Sequence, residues 1–207
     1  MDSVFIKKNS TLIPMIILTL LFFIFGFVTW LNGPLIPFFK LACELTEAQA
    51  YFVTFAFYIA YFVMAIPSSW VIEKVGYKNG LSMGLVVIAI GCFMFYPAAE
   101  ARTYALFLIA LFVMGTGLAI LQTAANPYVV VIGPRESAAA RISVLGLANK
   151  VAGFLAPIAL TALVLTNMKD YTADKIAALN GLEKIEALDS LALQLQIPYI
   201  YMGIIIL

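Results

Sequence analysis

Six long stretches without charge constrain the fold of this 207-residue chain more than any other feature of its sequence. They run from 9 to 39, 48 to 72, 79 to 99, 103 to 134, 142 to 168 with Lys150 as the one interruption, and 190 to 207. A helix that crosses the hydrocarbon core of a bilayer needs about 20 mostly apolar residues. Five stretches meet that length. The apolar run of the sixth begins near Ile197 and stops at Leu207.

The composition indicates that lipid, rather than water, surrounds most of the chain. Hydrophobic residues make up 64% of it and charged residues 11%, which leaves too little polar cover for a water-soluble domain. Within a bilayer the backbone must satisfy its hydrogen bonds internally, in helices or in a closed barrel. Uncharged runs of this length, without polar alternation, exclude the barrel. We therefore predict an all-α, polytopic transmembrane bundle with helices at about 11–38, 47–72, 79–98, 103–132, 138–166 and a truncated 197–207.

Basic residues set the expected orientation, because short cytoplasmic loops of membrane proteins carry an excess of lysine and arginine. With the amino terminus in the cytoplasm, the inner connections hold Lys7, Lys8, Lys74, Lys78, Arg135 and Arg141. The short outer connections then hold only Lys40 and Arg102. We therefore predict a cytoplasmic amino terminus.

The outer connection from 167 to 196 is longer than the others. Its helix-forming residues and alternating charge signs predict one or two short helices at the membrane surface. Six helices with a longer outer connection before the last are typical of one half of a transporter built from two parallel repeats. We expect residues 1–207 to form the amino-terminal transmembrane bundle of such a protein, with the carboxy-terminal bundle absent from this chain.

Lys150 is the charged residue that lies deepest in a predicted span. It follows Ser137 by about 13 residues, or roughly 20 Å of helix, which places it near the middle of the bilayer. A charge at that depth is costly, so the residue is a candidate for function. Helical spacing puts Ser143, Gly146, Lys150 and Gly153 on one face with Asn149 at its edge, and Leu145, Val151 and Leu155 on the opposite face, which we expect to contact lipid.

Polar and aromatic residues of three other predicted helices lie at suitable depths to join Lys150. Gln122 and Asn126 are spaced i, i+4, Tyr58 and Tyr61 share a stripe, and Asn32 shares a stripe of the first helix with Thr29. Aromatic rings pack on the C–H faces of a sugar, while amides and hydroxyls bond to its hydroxyl groups. The alternative is that the amides bond to neighbouring helices and the tyrosines only pack.

Prolines suggest irregular backbone beside two of these amides. Pro127 follows Asn126, and Gly33-Pro34 with Pro37 follows Asn32. We expect both helices to bend or unwind there and to free carbonyl groups for a ligand or cation.

The segment from 69 to 78 resembles a degenerate form of the loop signature of major facilitator transporters, which combines glycine, an acid followed by a base, and further basic residues. Glu73, Gly76 and Lys78 are its matching positions, with Glu73 in place of the usual aspartate and Ser69 in place of the first glycine. The resemblance implies a role for these three residues in the conformational change.

A longer resemblance is carried by PAAEARTYALFLIALFVMGTGLAILQTAANPYVVVIGP at 97–134, together with Leu31-Asn32-Gly33-Pro34, AFYIAYF at 56–62 and the stretch 141–156. The chain resembles the fucose/glucose/galactose:cation symporter family of the major facilitator superfamily. The resemblance implies a bacterial inner (plasma) membrane transporter of 12 helices, with alternating access and a monosaccharide site between its halves.

The resemblance also assigns residues. Fucose-type members carry an aspartate at the position of Gly33 and a glutamate at that of Gln122, so their carboxylates are missing here, and Gln122 before Thr-Ala-Ala-Asn-Pro is more similar to the glucose/galactose and N-acetylglucosamine branches. The predicted substrate-binding residues are Asn32, Tyr58, Tyr61, Gln122, Asn126, Asn149 and Lys150. Lys150, which replaces a small hydroxyl residue of the fucose-type members, is also the candidate for coupling, by alternating its proton or charge during turnover.

We therefore expect uptake of a glucose/galactose-type or N-acetylglucosamine-type monosaccharide by symport with a proton or sodium ion, and no other cofactor. A major facilitator exporter of another solute and a non-transporting membrane assembly subunit are the alternatives. The sequence contains no histidine, which excludes His-based zinc sites and triads and argues against an enzyme. A net charge of +1 provides no basic face for nucleic acid. The expected partners are a monosaccharide, the lipid bilayer and the carboxy-terminal half of the transporter.

Overall fold

The computed structural model describes residues 11–162 and 173–207, and every regular element within these ranges is helical. The helices are α1 (Leu12–Ala42), α2 (Glu47–Glu100), α3 (Tyr104–Val131), α4 (Ala138–Leu160), α5 (Ala173–Ala178), α6 (Gly181–Leu193) and α7 (Gln196–Ile206), with a 3₁₀ turn at Arg135–Ser137. Within the described residues, five helical stretches are long and apolar enough to cross a membrane. The prediction of an all-α transmembrane bundle is confirmed.

The longest helix, α2, is two crossings in sequence. Its 54 residues would extend about 80 Å if straight, against a hydrocarbon core of about 30 Å. Gly76 interrupts it with φ 78° and ψ 166°, a backbone conformation that favours glycine. The chain folds back there, and Gly80 lies so close to Ile72 that a Cβ on Gly80 would collide with that side chain. The crossings 47–75 and 77–100 therefore count separately, so that α1, these two crossings, α3 and α4 make five complete spans. Helix α7, which forms one apolar stretch with α6, starts the sixth span, as predicted.

Helix α3 lies between these two crossings. The Tyr104 hydroxyl donates to the backbone oxygen of Gln49 at 2.7 Å, and Gly115, farther along α3, lies against Phe57. The first crossing is therefore parallel to α3. The second is antiparallel, since Gly91 meets Met114 whereas Gly84 meets Gly117. Glycines at these contacts let the backbones approach closely, as is common between membrane helices.

An aromatic cluster near one end of the bundle joins four helices. The rings of Phe95 on α2 and Tyr199 on α7 stack with centroids 3.6 Å apart. Phe107 on α3 packs against Phe95, and Phe39 on α1 packs against Phe107 at 4.8 Å. All four side chains are 0 to 2% exposed, so the start of the sixth span packs on the second crossing of α2, whose Phe95 in turn packs on α1 and α3.

Helix α6 lies across this end of the bundle, in the connection where the charge pattern predicts short helices. Its Leu188 and Leu191 are buried. Two ion pairs hold its polar face to the bundle. Lys184 pairs with Glu44 at 2.5 Å, and Asp189 pairs with Arg102 at 3.1 Å. The other part of the predicted 167–196 connection, residues 167–172, lies outside the described residues.

Arg141 holds the connection between α3 and α4. Its guanidinium donates to the backbone oxygens of Val129 at 2.9 Å, Val130 at 3.1 Å and Pro134 at 3.0 Å, and to the Ser137 hydroxyl at 2.7 Å. The first two oxygens belong to the last turn of α3, whose carbonyl groups have no partner within the helix. The side chain is 9% exposed, so Arg141 is part of the folded bundle rather than a solvated loop charge.

The structure corrects the predicted helix ends. The first crossing of α2 continues to residue 75 rather than 72, and α1 continues to Ala42 rather than 38. The expected unwinding at the prolines is absent, since α1 continues through Pro34 and Pro37, and α3 continues through Pro127; a bend of either helix stays a prediction. A proline removes one backbone donor, but helix remains the conformation that satisfies the other groups in lipid. Helix α4 ends at Leu160, and 163–166 of its predicted range lie outside the described residues.

Candidate functional site

Helices α1 and α4, which carry Asn32, Asn149 and Lys150, approach each other closely. A Cβ added to Gly26 would lie 2.5 Å from the backbone oxygen of Asn149 and 2.9 Å from its Cα. Asn149 Nδ2 also donates to the backbone oxygen of Phe22 at 3.5 Å. Farther along, Gly153 of α4 meets Trp30 of α1, so the two helices run parallel. The contacts at Gly26, Phe22, Asn149 and Gly153 form the α1–α4 seam.

Lys150 lies at the edge of this seam, over an aromatic ring. Its Nζ is 5.1 Å from the centroid of the Trp30 ring, within the range of a cation–π interaction. Trp30 is 45% exposed, and Lys150 is also exposed. Trp30 was not among the predicted site residues. One signal was available, because tryptophan in membrane proteins concentrates at the interfaces, whereas Trp30 lies well inside α1, which ends at Ala42.

The two tyrosines of the first α2 crossing form a second group. Their ring centroids are 6.3 Å apart, and both rings pack against Phe57. Tyr58 is 49% exposed, whereas the half-buried Tyr61 places its hydroxyl beside Thr29 of α1. Tyr61 therefore belongs to the contact between α1 and α2, and Tyr58 presents its ring to the surface.

The amides of α3 are not placed against Lys150 by any contact in the described residues. Gln122 is half-buried and Asn126 is exposed. Asn32 lies within α1, and its side chain lies outside the described residues. That these three amides share one space with Lys150 stays a prediction.

The predicted faces of α4 are wrong in one respect. Leu145, expected to contact lipid, is 1% exposed, and it lies on the buried face with Arg141, Ala152 and Ala156. This face packs on the rest of the bundle, whereas Ser143 and Gly146 are exposed beside Lys150. Val151 is 45% exposed and Leu155 is 40% exposed, so Leu145 does not share a face with them, and the expected grouping is wrong for Leu145.

The loop-signature residues lie at the turn between the two crossings of α2. Glu73 and Lys78 are exposed on either side of the break at Gly76. The left-handed φ of Gly76 is the local reason for a glycine at this position of the signature.

A cavity of about 470 Å³ lies between α1, α4 and the α6–α7 segment. It is lined mainly by apolar side chains, among them Phe23, Phe27, Ile197, Tyr201 and Met202. It contains none of the predicted substrate-binding residues, and its polarity does not suit a sugar. In the described part of the chain, no three histidine, cysteine, aspartate or glutamate side chains are placed to hold a metal ion.

Comparison with known proteins identifies the family. The sequence pattern of the Major Facilitator Superfamily matches residues 18–168. The chain belongs to this superfamily. It is 44% identical over 157 residues to a glucose/galactose transporter of Brucella abortus, covering 76% of this chain and 38% of that protein. It is 35% identical over 201 residues to the L-fucose-proton symporter of Escherichia coli, covering 97% of this chain and 46% of that protein.

The fold of this superfamily member matches a solved structure. The crystal structure of the transporter FucP in the outward conformation superposes with a TM-score of 0.81 at 36% identity, over 95% of this chain and 48% of that one. The resemblance to the fucose/glucose/galactose symporters is thus confirmed, and these relatives are transporters rather than enzymes. The chain spans less than half the length of the curated relatives that it matches.

Proposed function

We propose that this chain forms the amino-terminal half of a secondary active transporter that takes up a monosaccharide by cation symport with alternating access. The observation that carries the proposal is the likeness to FucP over 95% of the chain at a TM-score of 0.81 and 36% identity, together with the relatives named as glucose/galactose transporters. The proposed substrate is a glucose/galactose-type or N-acetylglucosamine-type sugar.

The exposed polar face of the bundle supports the proposal that a second half of the transporter covers it. Lys150 is exposed at a depth of about 18 Å along α4, counted from Ala138 at 1.5 Å per residue. A charge there would be costly against lipid tails. In transporters built from two repeats, the substrate site lies near the bilayer midplane at the interface of the halves. A carboxy-terminal bundle facing Lys150 and Tyr58 would provide that interface.

The proposed site uses side chains from four crossings. Tyr58 and Tyr61 offer rings, Gln122 and Asn126 offer amide donors and acceptors, and Lys150 offers an ammonium group. Asn149 has a different task in this proposal, because its amide bonds to the α1 backbone at Phe22 and so positions Lys150. Asn32 completes the proposed set, which is Asn32, Tyr58, Tyr61, Gln122, Asn126, Asn149 and Lys150.

Coupling in this half would depend on a lysine side chain rather than on carboxylates. The stretches 12–39, 48–72, 79–99, 104–131 and 142–160 contain no aspartate or glutamate, and Lys150 is their one charged residue. We propose Lys150 as the coupling residue, with a proton or a sodium ion as the coupled ion. Glu73, Gly76 and Lys78 would act at the turn of α2 during the change of access.

The proposed location is the bacterial inner membrane with the amino terminus in the cytoplasm. The described chain is an integral membrane protein by its apolar helices and family. The excess of lysine and arginine in the connections at 73–78 and 134–141 supports this orientation.

Uptake measurements on the complete transporter, with both halves present, test the proposal. Radiolabelled glucose, galactose and N-acetylglucosamine would be offered to proteoliposomes, with proton and sodium gradients imposed separately. We expect accumulation of at least one sugar, driven by one of the two gradients. Failure of both gradients to drive any of these sugars, in vesicles shown to contain folded protein, would contradict the proposal.

Lys150→Ala, compared with Lys184→Ala on the outer helix α6, tests the coupling role. We expect Lys150→Ala to abolish gradient-driven accumulation, and Lys184→Ala to leave it intact. Unchanged uptake with an unchanged pH dependence in Lys150→Ala would refute the assignment of coupling to this residue.

A further inference from the structure

The indole of Trp30 packs against Gly153 and has the Lys150 ammonium over its ring. A Cβ on Gly153 would lie 2.7 Å from Cδ1 of Trp30 and 2.8 Å from its Nε1, so the indole rests directly on the α4 backbone. The Lys150 ammonium lies over the ring, 5.1 Å from its centroid. The ring is nonetheless 45% exposed. An aromatic plate with a cation over it is therefore open at the surface of the bundle.

This pair lies near the middle of the two helices that carry it. Helix α1 ends at Ala42, and α4 begins at Ala138. By the helical rise, Trp30 lies about 18 Å from the Ala42 end of α1, and Lys150 lies about 18 Å from the Ala138 end of α4. Because the two helices run parallel, these are opposite ends of the helix pair. A tryptophan at this depth is unusual if it serves as an interface anchor.

Among the described residues, the ammonium of Lys150 has no acidic partner. The three ion pairs within that part of the chain involve Lys40, Arg102 and Lys184. A cation–π contact offsets only part of the cost of a charge at this depth. The ammonium therefore has donor capacity to spare, and hydrogen bonds from a charged donor are stronger than those between neutral groups.

We propose that Trp30 is the stacking platform of the sugar site, and that a pyranose ring takes the place of the Lys150 ammonium on the indole. The C–H face of the sugar then packs on the ring that the ammonium had covered, and the displaced ammonium donates to the sugar hydroxyls. No covalent bond is made or broken. The inference rests on the proposed function, and it adds to it a residue, a mode of recognition and a role for the cation–π contact.

The exchange suits a transporter because each contact that is lost on binding is replaced by another. In the empty site, the ammonium covers the indole face, which offsets part of the cost of its charge. In the occupied site, each has a new partner from the same sugar. A ligand that exchanges contacts in this way binds with moderate affinity and leaves readily, as a transport substrate must.

Tryptophan fluorescence tests the contact directly, since this chain has two tryptophans, Trp30 and the 61% exposed Trp70. The complete transporter would be titrated with glucose, galactose and N-acetylglucosamine as Trp70→Phe and, separately, as Trp30→Phe. We expect the Trp70→Phe protein to show a saturable change of emission on adding sugar, and the Trp30→Phe protein to lack this change. Calorimetry of the same preparations measures sugar binding without relying on fluorescence.

The two measurements separate the two proposals. Sugar binding by calorimetry with no difference in emission response between the two variants would overturn this inference alone. Absence of both sugar binding and uptake would overturn the proposed function and this inference with it.

Kinetics provide a second test that does not depend on fluorescence. Trp30→Ala should raise KM for sugar uptake about tenfold with a smaller effect on the maximal rate, as expected for the loss of one stacking contact. Trp30→Phe, which keeps a smaller ring, should raise KM about threefold. Trp70→Phe should leave KM unchanged.

A Trp30→Ala variant that transports sugar with unchanged KM would refute the platform. If that variant fails to fold, Trp30→Phe replaces it. An unchanged KM in Trp30→Phe, together with the same sugar response of emission in Trp30→Phe and Trp70→Phe, would refute the platform equally.

Discussion

The α1–α4 seam predicts opposite effects for alanine at two glycines. Gly26 lies where a Cβ would come within 2.5 Å of the Asn149 backbone oxygen, whereas Gly146, on α4, has nothing within 4 Å of its Cβ position. Both are helix-interior glycines. Gly26→Ala should destabilise the protein, and Gly146→Ala should leave it unchanged or stabilise it slightly.

The size of the difference follows from the geometry. A carbon atom rests about 3.3–3.6 Å from a carbonyl oxygen, so α1 and α4 must separate by roughly 1 Å to accept alanine at Gly26. Overpacking of this kind costs about 1–3 kcal/mol. Alanine is favoured over glycine within a helix by up to about 1 kcal/mol, but this gain is shared by both variants and cancels. The two variants should therefore differ by about 1–3 kcal/mol in the free energy of unfolding.

Thermal unfolding in detergent, followed by circular dichroism at one scan rate, measures the difference. A membrane protein often unfolds irreversibly, so apparent midpoints are compared only between variants treated identically. The midpoint of Gly26→Ala should be lower than that of Gly146→Ala by roughly 2–12 °C. Equal midpoints, or a higher midpoint for Gly26→Ala, would show that α1 and α4 do not approach as described.

Three further changes test other parts of the chain. Arg141→Ala should destabilise the protein by about 2–4 kcal/mol because it removes four hydrogen bonds of a buried guanidinium. Arg135→Ala, at an exposed site of the same connection, should change the free energy of unfolding by no more than about 0.5 kcal/mol, and equal thermal midpoints of the two variants would contradict the reasoning. Gly76→Ala should cost about 1–3 kcal/mol because φ 78° with ψ 166° is a backbone region restricted essentially to glycine, and a midpoint equal to that of the parent would argue against that turn. Burial raises the pKa of the Cys43 thiol to about 11, so less thiolate is present at neutral pH. In the Cys92→Ala variant, alkylation of Cys43 by iodoacetamide should therefore accelerate about tenfold per pH unit from pH 7 to 10. A rate that levels off near pH 8.5 would be the contrary result.

The membrane crossings could be predicted from the sequence because each requires a long apolar run. The exact ends could not, since they depend on single residues. Gly76 alone separates two helices, whereas Pro34 and Pro127 end none. Hydropathy is an average over some 20 residues, and it cannot distinguish a turn of one residue from a loop of several.

The candidate site was less predictable because its contacts join residues far apart in sequence. Lys150 could be selected from its charge and depth. Its contact with Trp30 depends on α1 and α4 being parallel neighbours, and no local pattern states which helices adjoin. Likewise, Gly26 and Gly146 are similar in sequence context, and only the packing shows that Gly26 meets another helix. Leu145 was assigned to the wrong surface for a different reason, because at 3.6 residues per turn it lies about 120° around the helix from Val151.

The close approach at Gly26 has a consequence for how this part of the molecule can move. Two helices whose backbones touch cannot slide past each other or separate without a clash or a void, so α1 and α4 must travel together. Arg141 joins the end of α3 to the start of α4, which extends the moving block to a third helix. Trp30 and Lys150 lie on that block, so the distance between them would stay the same during a rocking motion. A solute bound there would be exposed to one side of the membrane and then to the other while its contacts with these two residues stay in place.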